Sequence, residues 1–292
     1  MTDAQTVCTA LGGRWHGSYG VAFCPVHENK RTPALSIKDG DNGRLLVHCF
    51  AGCDWVDVLA ALRAEGILEG SSDWKPDPQK MEQRKAERDA MQRRRIGQAR
   101  LCWSEAGPIS GTLADRYLRA RGISCDLPPT LRYHPRCWHG PTASKVPAMV
   151  AVVATGRTVV GVHRTYLAEP GVKAFTDNAK MMLGHCSGGA VRLSAGPGVL
   201  VVAEGVETAL SLLSGLPEAN PRVWAALSTS GMAGLVLPSD PGEMVLAPDG
   251  DGPGREAASK LANRATSTGW RVRVMRCPDN SDWNDMVSEA AV

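Results

Sequence analysis

The sequence predicts a multi-domain α/β protein. It should comprise a small metal-stapled domain, a charged helical connector, a mixed α+β region and a C-terminal parallel sheet wound with helices. Three observations predict this. From Gly196 onward, β-branched or aliphatic runs alternate with helix-forming segments, the pattern of strands joined by crossover helices. Acidic residues close two of those runs: Glu204 follows VLVVA, and Asp249 and Asp251 end EMVLAPDGD, while a third acidic pair, Asp282 and Asp285, lies in SDWND. Near the N-terminus, Cys24 and His27 and then, about twenty residues on, Cys49 and Cys53 are spaced as two pairs of metal ligands.

Taken in order, residues 1–70 are short strand-like pieces with Gly-rich turns, followed by the helical run DWVDVLAALRAEG. The polar stretch SSDWKPDPQ, with its two prolines, marks a boundary. Residues 71–106 form the connector: from Met81 to Glu105 strong helix formers run without proline and with Gly97 as the only glycine. Residues 107–195 are mixed. LADRYLRARG reads as an amphipathic helix closed by Gly122, and MVAVVATGRTVVGVHRTYL as two strands joined at TGRT. Residues 196–292 alternate: strand VLVVAE, helix ETALSLLSG, strand VWAAL, short helix MAGLVLP, strand EMVLAPD, helix REAASKLANRATSTG and last strand WRVRVMR.

Composition narrows the class. The longest apolar run, VPAMVAVVATG, is far too short to span a bilayer, and MTDAQTVCTALGG lacks the basic start and apolar stretch of a secretory signal. A cytoplasmic protein is expected. Nine cysteines form an uneven count that suits metal ligation in a reducing compartment better than a disulfide scaffold. The formal net charge of +3 excludes a polycation, but nine basic residues face four acidic ones between Lys75 and Arg100. Such a segment beside an acidic site suits a nucleic-acid partner.

The residue types point to two kinds of metal chemistry. Three thiolates and one imidazole make a closed tetrahedral zinc set, and a domain of about sixty residues is marginal without such a staple. His48, Cys8 and His16 are read as bystanders, and Cys137, His139, His185 and Cys186 as packing residues. The acidic clusters differ. Ligands of open α/β sheets gather at the carboxyl ends of strands, where converging carboxylates repel unless a hard divalent cation, Mg²⁺ or Mn²⁺, lies between them. A metal-dependent phosphoryl-transfer site follows. Asp249 and Asp251 flank Gly250, so one loop offers two ligands, and Gly205, Gly252 and Gly254 leave room for phosphates.

FCPVHENKRTPALSI followed by LLVHCFAGC resembles the zinc-binding domain of bacterial and phage DnaG-type DNA primases, although the second pair is Cys-x₃-Cys where the family usually has Cys-x₂-Cys. VVAEGVETAL, APDGDGPGREAA and SDWNDM together resemble the three acidic motifs of the toprim fold, a Rossmann-like parallel sheet shared by primases, type IA topoisomerases and some nucleases. The resemblance implies Glu204, Asp249 and Asp251 as catalytic residues, with Asp282 and Asp285 joining them around magnesium. It departs at Thr208, where many primases carry an acid and this chain has Glu207 one residue earlier, and at Asn284, where a carboxylate is common. RYLRARGI, GRTVVGVHRTYL and VKAFTDNAKMMLG resemble the first half of the primase catalytic core. They imply Arg164, Lys173 and Lys180 as contacts for template or nucleotide phosphates.

What is implied is a DNA-dependent RNA polymerase of the primase type, joining ribonucleoside triphosphates on single-stranded DNA. The zinc domain would bind template. Phe50 and Trp55 are candidates for stacking on bases, with core packing the stronger expectation for each. A topoisomerase is excluded because Tyr19, Tyr117, Tyr133 and Tyr166, the only tyrosines, all precede the toprim motifs. A toprim nuclease and a non-catalytic single-strand-binding module remain as alternatives. No GxxxxGK[ST] motor motif is present, so a compact primase of a phage, plasmid or mobile element is expected, served by a separate helicase or none.

Overall fold

The computed structural model describes residues 3–28, 32–40, 43–68, 78–175, 177–215, 220–279, 281 and 283. The chain divides into two compact units, Met1–Met91 and Gln92–Val292.

In the first unit, α1 (Ala4–Ala10) starts at Asp3, whose carboxylate accepts from the Thr6 N–H at 2.7 Å. The strands β1 (Arg14–Trp15), β2 (Gly20–Ala22), β3 (Leu35–Asp39) and β4 (Leu45–Cys49) form one antiparallel sheet in sequence order. α2 (Trp55–Ala64) follows, capped by Asp54 through the Val56 N–H at 2.9 Å. The core is small: Val7, Cys8, Leu35, Ile37, Val58 and Leu62 pack with Cys24 and Cys49. So little buried apolar surface leaves a domain of this size marginal. The division between the units falls within α3 (Pro78–Glu105), which covers the expected connecting helix.

The second unit opens with α4 (Leu113–Arg119) and an antiparallel sheet of β5 (Leu131–His139), β6 (Ser144–Thr155), β7 (Thr158–Ala168) and β8 (Val172–Lys173), with β9 (Lys180–Gly184) also paired to β7. The hairpin expected at TGRT is the β6–β7 turn. Thr155 pairs with Thr158 across two residues, and Gly156 takes a φ of +55°, as tight hairpin turns require.

A second sheet carries β10 (Val191–Arg192), β11 (Leu200–Ala203), β12 (Arg222–Ala225), β13 (Glu243–Ala247) and β14 (Arg271–Val274) in the order β10-β12-β11-β13-β14. β10 is antiparallel to β12, and the other neighbours are parallel. The helices α5 (Val206–Gly215), α6 (Thr229–Ala233) and α7 (Gly252–Ser267) connect the parallel strands. β11 at the centre is buried on both faces. Val201 and Ala203 join a core with α4, α5 and the first sheet; Leu200 and Val202 join another with α7 and Trp270. The first of these cores continues across the expected boundary at 195/196, because Leu131, Met149 and Leu167 pack in it beside Val201 and Leu210.

The short helix expected over MAGLVLP is displaced. α6 covers Thr229–Ala233, since the Ser228 hydroxyl accepts from the Gly231 N–H at 3.0 Å and Gly234 ends the turn. Among the described residues, no helix is long and apolar enough to cross a membrane.

Candidate functional site

In the first unit, Cys24 lies in the loop after β2, with His27 three residues on. Cys49 ends β4 and Cys53 precedes the cap of α2. Their donor atoms all lie within 4.8 Å of one another. Around a zinc ion, metal–sulfur bonds of about 2.3 Å place tetrahedral sulfurs about 3.8 Å apart, so this grouping fits that ion. Nδ1 of His27 is 3.2 Å from the Cys53 sulfur and 3.8 Å from that of Cys49, which marks it as the nitrogen facing the centre.

The extra residue of Cys-x₃-Cys is absorbed by Gly52, at a φ of +90°, whose N–H donates to the Cys49 carbonyl at 3.1 Å. Burial opposes ionisation of Cys49, but hydrogen bonds from the Cys53 and Ala51 N–H groups and from the neighbouring thiols outweigh it and lower its pKa. Burial first, then hydrogen bonding with and repulsion from Cys49 and Cys24, push the Cys53 thiol up to about 11. Thiols so crowded are what a divalent cation relieves. His48 lies outside the group, exposed and edge-on to Phe50.

The packing expectation for Phe50 and Trp55 is corrected. Phe50 is 70% exposed and Trp55 60% exposed, because the tight Gly52 turn and the start of α2 carry both away from the small core.

The acidic residues gather at one edge of the parallel sheet. Ala203 of β11 is in register with Ala247 of β13, so Glu204 and the Pro248–Asp249 step leave adjacent strands, about 4.8 Å apart, at the same level. Glu204 is half-buried. Burial first, then the charges of Asp249 and Asp251, push its carboxyl up to about 7, against the opposing pull of the Thr229 N–H and Lys180. Asp251 is exposed and caps α7, its Oδ1 accepting from the Gly254 N–H at 2.7 Å.

That cap turns one Asp251 oxygen toward the helix. Among the described residues, only the Cys/His group closes to metal-ligand distances as a set of three or more donors. The carboxylates of Asp249 and Asp251 are near enough for their charges to act on Glu204, without closing on a common point. Gly250 passes so close to Pro278 that a Cβ would overlap its carbonyl oxygen. The Gly250 N–H donates to the Ser281 carbonyl at 2.9 Å, and the Trp283 indole N–H to the Pro248 carbonyl at 2.9 Å. Asp282, Asn284 and Asp285 lie outside the described residues.

The three basic residues expected at phosphates occupy different settings. Lys173 is exposed at the end of β8. Arg164 is 7% exposed, and its guanidinium donates to the Trp138 carbonyl at 3.1 Å and the Met182 carbonyl at 3.5 Å, so it ties strands together. Lys180, at the start of β9, is bonded at 2.8 Å to Glu207, and its charge also reaches Glu204. Glu207 itself was visible only as an acid one position out of place. It is buried in the first turn of α5 and receives Tyr117 as well as Lys180. Tyr117 carried no functional signal in the sequence, since its partner is 90 residues away. Cys137 and His139 are packing residues, buried as expected.

A family model described as a toprim domain matches residues 199–291, and one described as a domain of unknown function, DUF7146, matches residues 93–193. The C-terminal part of the chain is a toprim domain. No curated protein matches the chain. Among solved structures, the chain is similar to the zinc-binding and RNA polymerase domains of the Aquifex aeolicus primase, at 14% identity and a TM-score of 0.42, covering 99% of this chain and 80% of that one. It is similar also to a DNA primase domain from Pseudomonas aeruginosa, at 16% identity and a TM-score of 0.40, covering 62% and 68%. A third is the primase fragment of the bacteriophage T7 primase-helicase protein, at 14% identity and a TM-score of 0.39, covering 92% and 96%.

Proposed function

We propose that this chain is a DNA primase that joins ribonucleoside triphosphates into short RNA on a single-stranded DNA template. The observation that carries the reading is the register of β11 with β13, which brings Glu204 and Asp249 to one carboxyl edge of the toprim sheet, where the charges of Asp249, Asp251 and Lys180 act on Glu204. In the reaction, the 3′-hydroxyl of one nucleotide attacks the α-phosphorus of the next. The new oxygen–phosphorus bond forms as the bond to pyrophosphate breaks, pyrophosphate leaves, and the hydroxyl proton passes to water.

Glu204, Asp249 and Asp251 are the residues proposed to hold Mg²⁺ or Mn²⁺, with Asp282 and Asp285 as further candidates. Bound there, such cations would lower the pKa of the attacking hydroxyl and neutralise charge on the leaving oxygens. The residues' own part is placement and charge: hard oxygen donors at the sheet edge, and a lysine for the phosphates. Lys180 and Lys173 are proposed for that phosphate contact, with Arg164 supporting from within the sheet. Zinc is proposed at Cys24, His27, Cys49 and Cys53. Beside it, the exposed Phe50 and Trp55 are proposed to stack on template bases, which suits recognition of single strands.

The test is primer synthesis from ribonucleoside triphosphates on single-stranded DNA with Mg²⁺, comparing wild type with Glu204→Gln and Asp249→Asn. Synthesis by the wild type, reduced at least a hundredfold in both variants, is expected. Normal synthesis by both variants would remove the assigned site. Metal-dependent DNA hydrolysis without synthesis would make the protein a nuclease, and template binding with neither activity a binding module.

A further inference from the structure

Glu207 is an expensive residue to bury. It is 4% exposed, in a helix turn packed against a second helix and a sheet. Two donors meet it from elements distant in sequence: Tyr117 Oη on α4 reaches Oε1 at 2.8 Å, and Lys180 Nζ on β9 reaches Oε2 at 2.8 Å. Burial opposes its ionisation, but the Lys180 charge and the hydrogen bonds outweigh burial and hold its carboxyl down to about 2. His163, buried close by on β7, is pushed down to about 4 by burial and is neutral at pH 7, so it brings no second cation to the pair.

A buried ion pair is a poor device for stability, since apolar residues of equal volume usually do as well. What such a pair secures is the place of a charge. The backbone on either side of Lys180 is held too. It pairs with Thr165 of β7 in register, while the loop before it is anchored by His139, whose ring stacks on Phe175 at 4.5 Å and whose Nε2 lies 3.3 Å from the Asn178 carbonyl oxygen. The Lys180 side chain is still 37% exposed, and an ammonium has three N–H donors, of which Glu207 uses one.

We propose that Glu207, with Tyr117, is a positioning residue that fixes the Lys180 ammonium beside the Glu204–Asp249 edge, where it receives the triphosphate of the incoming nucleotide. The inference rests on the nucleotidyl-transfer reading and assigns Glu207 a task in nucleotide capture rather than at the reacting atoms.

The test combines two readouts on Glu207→Gln, Lys180→Met, the double variant and Tyr117→Phe. One is binding of a fluorescent ATP analogue with Mg²⁺, by anisotropy, and the other is steady-state primer synthesis. Glu207→Gln and Lys180→Met are each expected to raise Kd and KM for the nucleotide about tenfold while kcat falls less than threefold. The double variant should bind no worse than Lys180→Met alone, since residues acting as one unit are not additive. Tyr117→Phe, which leaves the ion pair in place, should raise KM two- to threefold and serves if Glu207→Gln does not fold.

Nucleotide binding that shows this coupling without any primer synthesis would support the positioning and sink the polymerase reading. Primer synthesis with additive effects, or with kcat falling in place of a KM rise, would overturn the positioning alone. Absence of both binding and synthesis in the wild type would overturn both.

Discussion

Glu204→Gln should stabilise the metal-free protein at alkaline pH while abolishing its activity. The Glu204 carboxyl is displaced from an ordinary value of 4.5 to about 7, by burial and by the charges of Asp249 and Asp251. A group whose pKa is raised by folding contributes stability that is present below its unfolded value and lost as pH rises through its folded value. The loss therefore runs from about pH 4.5 to pH 7 and is complete at pH 8. Taken whole, the displacement corresponds to about 3 kcal/mol. Solvent screening of a half-exposed carboxyl reduces that to about 1–2 kcal/mol. For a unit of this size each kcal/mol moves Tm by about 2–4 °C, so the neutral amide should raise the Tm of the second unit by about 2–8 °C at pH 8 and by little at pH 5. Magnesium should mimic the substitution in the wild type, adding about 1.4 kcal/mol at ten times its Kd. It should do so more at pH 8 than at pH 5, and hardly at all in the variant. Differential scanning calorimetry across that pH range, in magnesium-free buffer without chelator so that the cysteine site is undisturbed, reads each of these. A Glu204→Gln protein no more stable than wild type at pH 8, or an equal magnesium effect at both pH values, would refute the argument that these carboxylates converge.

The remaining predictions concern the other parts. Cys24→Ser or Cys49→Ser should lower zinc from one ion per chain to none by elemental analysis, and should expose residues 1–68 to limited proteolysis. Phe50→Ala and Trp55→Ala should each weaken single-stranded DNA binding by about 1–3 kcal/mol, the worth of one stacked base, with Tm unchanged because neither side chain is buried. Gly250→Ala should lower Tm and abolish synthesis together, since the added methyl would overlap the Pro278 carbonyl oxygen and move the loop that carries Asp249 and Asp251. Its readouts are calorimetry and primer assay on the same preparation.

The toprim sheet was legible because each central strand is a short apolar run buried on both faces, ended by a turn residue, and such runs carry their own boundaries. Glu204 and Asp249 follow apolar runs in the sequence and so fall at strand ends, and the parallel register of Ala203 with Ala247 is what turns those two ends into one edge. The paired cysteines were legible by spacing, and the extra residue between Cys49 and Cys53 proved to be a matter of one glycine at positive φ. α6 was misplaced because a Ser cap and a glycine stop decided its ends, overriding the hydrophobic pattern of MAGLVLP. Phe50 and Trp55 were misjudged for a related reason. An aromatic residue in a domain of ordinary size is usually core, but this core is too small to receive either.

The site's cationic side was the least legible part, because it is assembled across the chain. Arg164 sits in a strand, where its basic character suggested phosphate, yet it is buried on the face holding Tyr166, and its two terminal nitrogens donate to the Trp138 and Met182 carbonyls. Lys180 begins a strand on the opposite side of β7 from β6, and only the pairing of Lys180 with Thr165 brings it over the α5 turn that carries Glu207. No local pattern encodes a bond between residues 27 positions apart, still less the 90 that separate Tyr117 from Glu207. In return, the buried carboxylate explains the departure seen in the sequence. An acid displaced by one helical position moves about 100° around α5, to a buried place where Tyr117 and Lys180 meet it. There it holds a cation, and the same charge that would add repulsion among the acids instead anchors the lysine that offsets it.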